Sequence, residues 1–288
     1  MTWPRKLYRF FGSSPLVMTG LVLLVVFVVV GVFAPWIAPK DPHLQSLTER
    51  LQPPLSEGYP LGTDALGRDV LSRLIYGSRI SLIVGFAAVL LSAVIGIIIG
   101  LVSGYVGGWV DSLFMRVVDA WLAFPFLLLA IAIVAVLGRG LNNIIIALVI
   151  TGWVLYARLV RGETLSLRER EFVLSARGLG TNPISIMFKH ILPNCMAPIL
   201  VVATLEIGVV IVTEASLSFL GLGVAGAEPS WGAMLADGRA YLTRAWWLAT
   251  TPGLAIFAVV LAVNIVGDGL RDALDPRDES LRREEVTP

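Results

Sequence analysis

The sequence predicts an all-α, polytopic membrane protein with six transmembrane helices. Three observations carry that expectation. The chain of 288 residues is 56% hydrophobic and only 15% charged, with mean hydropathy +0.81; a soluble domain carries roughly 25% charge. Six apolar runs lie near Leu16–Ala38, Ile80–Val106, Ala120–Leu137, Leu141–Ala157, Ile191–Leu220 and Pro252–Val266. About 20 apolar residues span a hydrocarbon layer about 30 Å thick. None of the runs alternates as a barrel strand would, and in lipid only helices or closed barrels satisfy the backbone.

The elements follow in order. Residues 1–15 form a tail with Arg5, Lys6 and Arg9. The first span, 16–38, exceeds the roughly 7–15 apolar residues of a secretory signal. Pro39 directly after Ala38 also spoils its small-residue cleavage site, so the span is expected to be retained. Residues 39–79 read as an external loop. Inside it "LGTDALGRDVLSRLIYGSR" reads as a short amphipathic helix, with Val70, Leu71, Leu74 and Ile75 on one side and Arg68, Asp69 and Arg73 elsewhere. Such a helix lies at the interface or meets an external partner.

Residues 80–270 are expected to form a five-helix core. Gly96, Gly100 and Gly104 recur at every fourth position of its first helix, a ridge that admits close approach by another helix. Between the fifth and sixth spans a second external segment carries Trp231, Trp246 and Trp247, which suit a membrane–water boundary. Residues 271–288 close the chain as a second tail.

Orientation follows from the basic residues. Of the 22 lysines and arginines, fourteen fall in the two tails, the link after the second span and the stretch after the fourth, and eight fall in the opposite set. Both termini are therefore expected to be cytoplasmic.

Several function classes are excluded. A net charge of +1 does not suit bulk electrostatic binding of nucleic acid. One cysteine, Cys195, makes no disulfide framework or cysteine cluster. His43 and His190 fall on opposite sides of the expected topology, so no metal site is expected. "GLGVAG", Gly221–Gly226, matches G-x-G-x-x-G but follows a membrane helix and opens no βαβ unit. Lys6, Lys40 and Lys189 are followed by Leu, Asp and His. None closes a G-x-x-x-x-G-K-[ST] phosphate loop, so any ATP must be bound by another chain.

Glu206 and Glu214 lie inside the fifth span, where a charge costs roughly 2.5–3.5 kcal/mol on insertion scales. Each either lines a pathway, bonds a neighbouring helix or is protonated in place. Asn264 in the sixth span is open to the same readings.

The polar stretch 166–194 interrupts the apolar runs. Ser166 and Glu169 have the spacing of a capping box, starting a helix that Gly178 and Gly180 end. Asn182 then caps a second helix with Pro183 in its first turn. From it Ile184, Met187 and Phe188 are expected to project. Two short helices joined at a glycine elbow fit a membrane-surface hairpin, a docking knob for a cytoplasmic partner or, remotely, a helix-turn-helix.

The stretch resembles the EAA loop of bacterial ABC importer permeases, E-A-A-x₃-G-x₉-I-x-L-P. Ala176, Gly180, Leu192 and Pro193 match, while Leu174, Ser175 and His190 replace the Glu, the first Ala and the Ile. "GGWVDSLFMRVVDAWLAFP", "ASLSFLGLG", "PSWGAML" and "NIVGDGLRDALDPR", together with the loop block quoted above, are similar to the dipeptide/oligopeptide/nickel permease family, specifically its C-type subunit.

This resemblance implies the ABC importer (type I) permease fold in a bacterial cytoplasmic (inner) membrane. It implies a heterodimer with a homologous permease, two cytoplasmic ATPase subunits that hold ATP and Mg, and an external solute-binding protein. Ser175, Ala176, Arg177, Gly178, Gly180, Pro183 and Ile184 would make the ATPase contact. The chain itself would hold no cofactor and perform no covalent chemistry. The competing class is a self-sufficient secondary transporter or channel, which would want charge networks or broken helices at repeat positions.

Overall fold

The structure, a computed structural model, describes residues 14–224 and 228–274. The basic ends of both tails and the last residues of the G-x-G-x-x-G match lie outside the described residues.

Helix α1 (Pro15–Val32) starts where Ser14 accepts a hydrogen bond from the Val17 N–H at 3.2 Å, and proline fits the first turn because its missing donor is not needed there. A one-turn helix, α2 (Ala34–Ile37), follows. Residues 38–69 contain one 3-10 turn, Leu47–Glu49, and two isolated bridges.

Helix α3 (Val70–Val106) has 37 residues, about 55 Å at 1.5 Å per residue. Asp69 caps it by accepting from the Ser72 N–H at 2.9 Å and hydroxyl at 2.6 Å. The separate amphipathic helix expected before residue 80 does not form: its residues are the first turns of α3. The apparent polar face explains the difference. Arg68, Asp69 and Arg73 are buried and partnered, so nothing obliges the helix to stop.

The chain then folds into α4 (Gly108–Leu122) and α5 (Phe126–Leu137), which meet at 88°. The third span was expected to be one run, 120–137. Pro125 breaks it, having no N–H and disfavouring a helical Phe124. With 12 residues, α5 is about 18 Å long, too short to cross alone. Helix α6 (Leu141–Leu167) runs parallel to α3. The bent pair α4–α5 therefore carries the chain back along the bundle between them.

Two short helices, α7 (Glu171–Gly178) and α8 (Pro183–Ser185), lead through a π-turn, Ile186–Ile191, into α9 (Leu192–Phe219). Helices α10 (Trp231–Arg239) and α11 (Trp247–Leu274) complete the described chain. Five helices are long and apolar enough to cross a membrane, and the α4–α5 pair makes six if counted as one. No β-strand forms among the described residues.

The glycine ridge sets the tightest contact. A Cβ on Gly96 would lie 2.5 Å from the Trp153 carbonyl oxygen, one on Gly100 2.7 Å from that of Ala157, and one on Gly104 2.8 Å from Thr164 Cβ. Backbone meets backbone along three turns of α3 and α6, the geometry that small residues at fourth positions allow. Helices α1, α9 and α11 pack around this pair.

Candidate functional site

The stretch between α6 and α9 forms the expected elbow, although its start differs. Helix α6 continues through Ser166 to Leu167, and α7 begins after Arg170 with no side-chain cap. The capping box is absent because tertiary contacts extend α6: Thr164 packs on Gly104, and Arg168 Nη1 donates to the Gly104 carbonyl at 2.9 Å. Glu169 pairs instead with Arg168 at 3.0 Å.

Helix α7 ends in a Schellman arrangement. The Thr181 N–H donates to the Ala176 carbonyl at 3.1 Å and the Gly180 N–H to that of Arg177 at 3.0 Å, with Gly180 at φ +75°. Asn182 Oδ1 then accepts from the Ile184 N–H at 2.9 Å and Pro183 opens α8. Each backbone reversal thus has a local cause.

One face of the elbow is locked down. Val173, Ala176, Ile186, Met187 and Ile191 are buried with Leu101 of α3, Val160 of α6, and Cys195 and Ile199 of α9. The other face exposes Phe172, Leu174, Leu179, Ile184 and Phe188, with Leu179 86% exposed. Ser175, Arg177, Gly178, Gly180 and Pro183 are also exposed. Ala176 and Met187 point inward, so Ala176 supports the elbow rather than its free face, and Met187 does not project as expected. Phe172, Leu174, Leu179 and Phe188 extend the apolar face beyond the expected contact set.

Two neighbouring contacts stiffen the base. Asp111 of α4 accepts from Arg161 Nε at 2.5 Å and Nη2 at 2.6 Å, and also from Ser103. The Arg177 guanidinium stands 5.3 Å from the Tyr105 ring centroid, a cation–π distance.

At the opposite end of α3, residues 38–69 are bound to α10 and α11. Asp64 pairs with Arg68 at 2.6 Å and with Arg73, and both guanidiniums reach Asp237 of α10 at 3.6 Å. Burial raises the pKa of the Asp64 carboxyl, but Arg73, the Arg68 N–H and the Arg68 charge together hold it below the ordinary value. Trp231 Nε1 donates to the Leu74 carbonyl at 2.9 Å, and Trp247 Nε1 to that of Thr63 at 3.3 Å. Trp231 and Trp247 are therefore buried staples, and only Trp246 is exposed as the boundary reading requires.

The intramembrane candidates separate. Glu214 is 0% exposed; Ser218 donates to its Oε1 at 2.7 Å and Ser81 of α3 to its Oε2 at 3.3 Å. It joins α9 to α3 and lines no open space. Glu206 is half-buried two residues from Gly208, where a Cβ would lie 3.8 Å from Asn264 Oδ1. Asn264 of α11 is half-buried too. The structure thus sets Asn264 of α11 against Gly208 on α9, a side of that helix that Glu206, two residues earlier, does not share, and it places Glu214 in the interface with α3. No cluster of potential metal ligands occurs among the described residues.

The family model for the binding-protein-dependent transport system inner membrane component matches residues 96–279, and that for the N-terminal TM domain of oligopeptide transport permease C matches residues 3–54. The chain belongs to this permease family. It is 45% identical to the di/tripeptide transport system permease protein DppC of Pseudomonas aeruginosa, over 95% of this chain and 92% of that protein. It is 47% identical to the glutathione transport system permease protein GsiD of Escherichia coli, over 94% and 90%. A chain of the MetNI methionine ABC transporter superposes with a TM-score of 0.58 at 18% identity, covering 70% of this chain and 96% of that one.

The permease is a multi-pass inner-membrane component of an ABC transporter. Its elbow was legible because glycine, Asn-Pro and the apolar flanks are local signals. Its Asp64–Arg68–Arg73–Asp237 cluster was missed. The conspicuous block "LGTDALGRDVLSR" held three of the four residues, but nothing in it names Asp237.

Proposed function

We propose that the permease forms half of the translocation pathway of an importer for peptides or a related small solute. Its partners are a homologous permease, two cytoplasmic ATPases and an external solute-binding protein. The observation that carries this reading is the two-faced elbow. Its inner face is fixed to α3, α6 and α9, and its outer face exposes the apolar Leu179, Ile184 and Phe188. A face of that kind on a rigid support fits insertion into a groove. Basic residues concentrated beside it favour a cytoplasmic position for the elbow and both termini. The permeases named for di/tripeptides and glutathione support the cargo class.

The work is mechanical. ATP binding draws the ATPases together, the seated elbows follow, and the helices fixed to them, α3, α6 and α9, move with them. The pathway opens to the binding protein, and hydrolysis resets it. Glu206 and Asn264 are the pathway-lining candidates that remain; Glu214 is a structural bridge.

Purification of the chain alone tests this reading. The isolated chain is expected to bind no nucleotide and to move no peptide, and both activities are expected to appear when the ATPases, the second permease and the binding protein are added. Peptide transport by the isolated chain under an ion gradient would establish the secondary-transporter alternative.

A further inference from the structure

Arg68 and Arg73 have more donors than acceptors around them. Each guanidinium carries five N–H groups. Arg68 Nε and Arg73 Nη1 both donate to Asp64 Oδ2. Asp237 lies 3.6 Å from the Nη2 of each arginine, within ion-pair range but beyond hydrogen-bond length. Arg73 Nε is buried without any hydrogen-bond partner. Both arginines line a cavity of about 180 Å³, together with Tyr241 and the apolar Met234 and Leu248.

A buried donor without an acceptor costs free energy, and a carboxylate fits a guanidinium fork best. The two existing carboxylates are not equivalent. Asp64 takes the short bonds and is buried, so it is the permanent counter-ion. Asp237 is 55% exposed and accepts no hydrogen bond from either arginine, so moving it aside breaks none. The cavity is smaller than the roughly 300–1,000 Å³ of small-molecule sites. It admits one side chain rather than a whole solute. It also lies at the start of α3, about 55 Å along that helix from the elbow.

We propose that Arg68 and Arg73 receive a single Asp or Glu side chain from the external solute-binding protein, with Asp237 standing in for it when that protein is away. The proposal rests on the importer reading above. It adds the docking chemistry: a fixed pair of arginines, one captive carboxylate and one exchangeable carboxylate.

The complete importer in lipid nanodiscs, titrated with its solute-binding protein, tests this. Asp237→Asn removes one like charge and is expected to tighten binding about fivefold. Arg68→Gln is expected to weaken it about tenfold, the loss of a charge-assisted hydrogen bond. Retention of the ATPase subunits shows that each variant has folded. If Arg68→Gln does not assemble, Arg68→Lys keeps the charge without the fork and is expected to weaken binding as well. Unchanged affinity in the variants, or weaker binding by Asp237→Asn, overturns the site. A free dipeptide that binds without the binding protein, and binds tighter after Asp237→Asn, assigns the carboxylate to the solute and also overturns it. Failure of the unaltered assembly to bind the binding protein refutes the importer reading itself.

Discussion

Arg161 of α6 grips Asp111 of α4 through two hydrogen bonds, 2.5 Å from Nε and 2.6 Å from Nη2. Ser103 of α3 donates to the same carboxylate. Three helices therefore meet in one ionic knot just below the elbow, and two consequences follow for variants. Asp111→Ala leaves the guanidinium without its acceptor and is expected to cost about 1.5–3 kcal/mol. The reversed pair, Asp111→Arg with Arg161→Asp, is expected to recover part of it. The thermal unfolding midpoint in detergent reads both.

The ridge on α3 gives a contrast between glycines. A methyl on Gly100 would stand 2.7 Å from the Ala157 carbonyl and 2.8 Å from Val160 Cβ, whereas nothing lies within 4 Å of one on Gly178. Gly100→Ala is expected to spread α3 from α6 and cost about 1–3 kcal/mol, as overpacking does. Gly178→Ala, in a helix, is expected to be neutral or stabilising by about 0.5–1 kcal/mol. Equal midpoints for the two variants would refute the close packing.

Asp64 makes the loop's attachment pH-dependent. Its folded pKa is depressed below 3.8 because Arg73 and Arg68 outweigh burial. The native state then holds fewer protons than the unfolded one between those two values, so this contribution is complete above pH 3.8 and is lost as pH falls through the depressed value. The unfolding midpoint of the wild type is expected to drop on acidification below about pH 4. In Asp64→Asn the midpoint is expected to be lower at neutral pH, and the part of the acid slope that belongs to this carboxyl to vanish.

What the sequence revealed divides by distance along the chain. Gly180 with Asn182 and Pro183 announced a reversal because each fixes its own backbone, and the fourfold glycine spacing announced a helix contact because it lies on one face. Asp111 and Arg161 are 50 residues apart, and Ser81 and Glu214 are 133 apart. Such pairs have no local signature, so Arg73 looked like a solvent-facing charge, and Glu214 stayed open between lining a pathway, bonding a neighbouring helix and protonation in place. Ser166 and Glu169 erred the other way, because packing of Thr164 on Gly104 overrode a sound local signal. Pro125 is a local signal for the bend in the third span, but the span was read as one run, 120–137.

The most direct measurement is co-purification of the ATPase subunits with elbow variants. Leu179 and Ile184 are 86% and 62% exposed, so Leu179→Asp with Ile184→Asp alters the free face and leaves the buried one alone. The same experiment takes Gly180→Trp, which places bulk at the φ +75° turn. Both variants are expected to insert into the membrane in wild-type amounts and to lose the ATPases. ATPases retained at wild-type stoichiometry on both would contradict the elbow as the coupling surface.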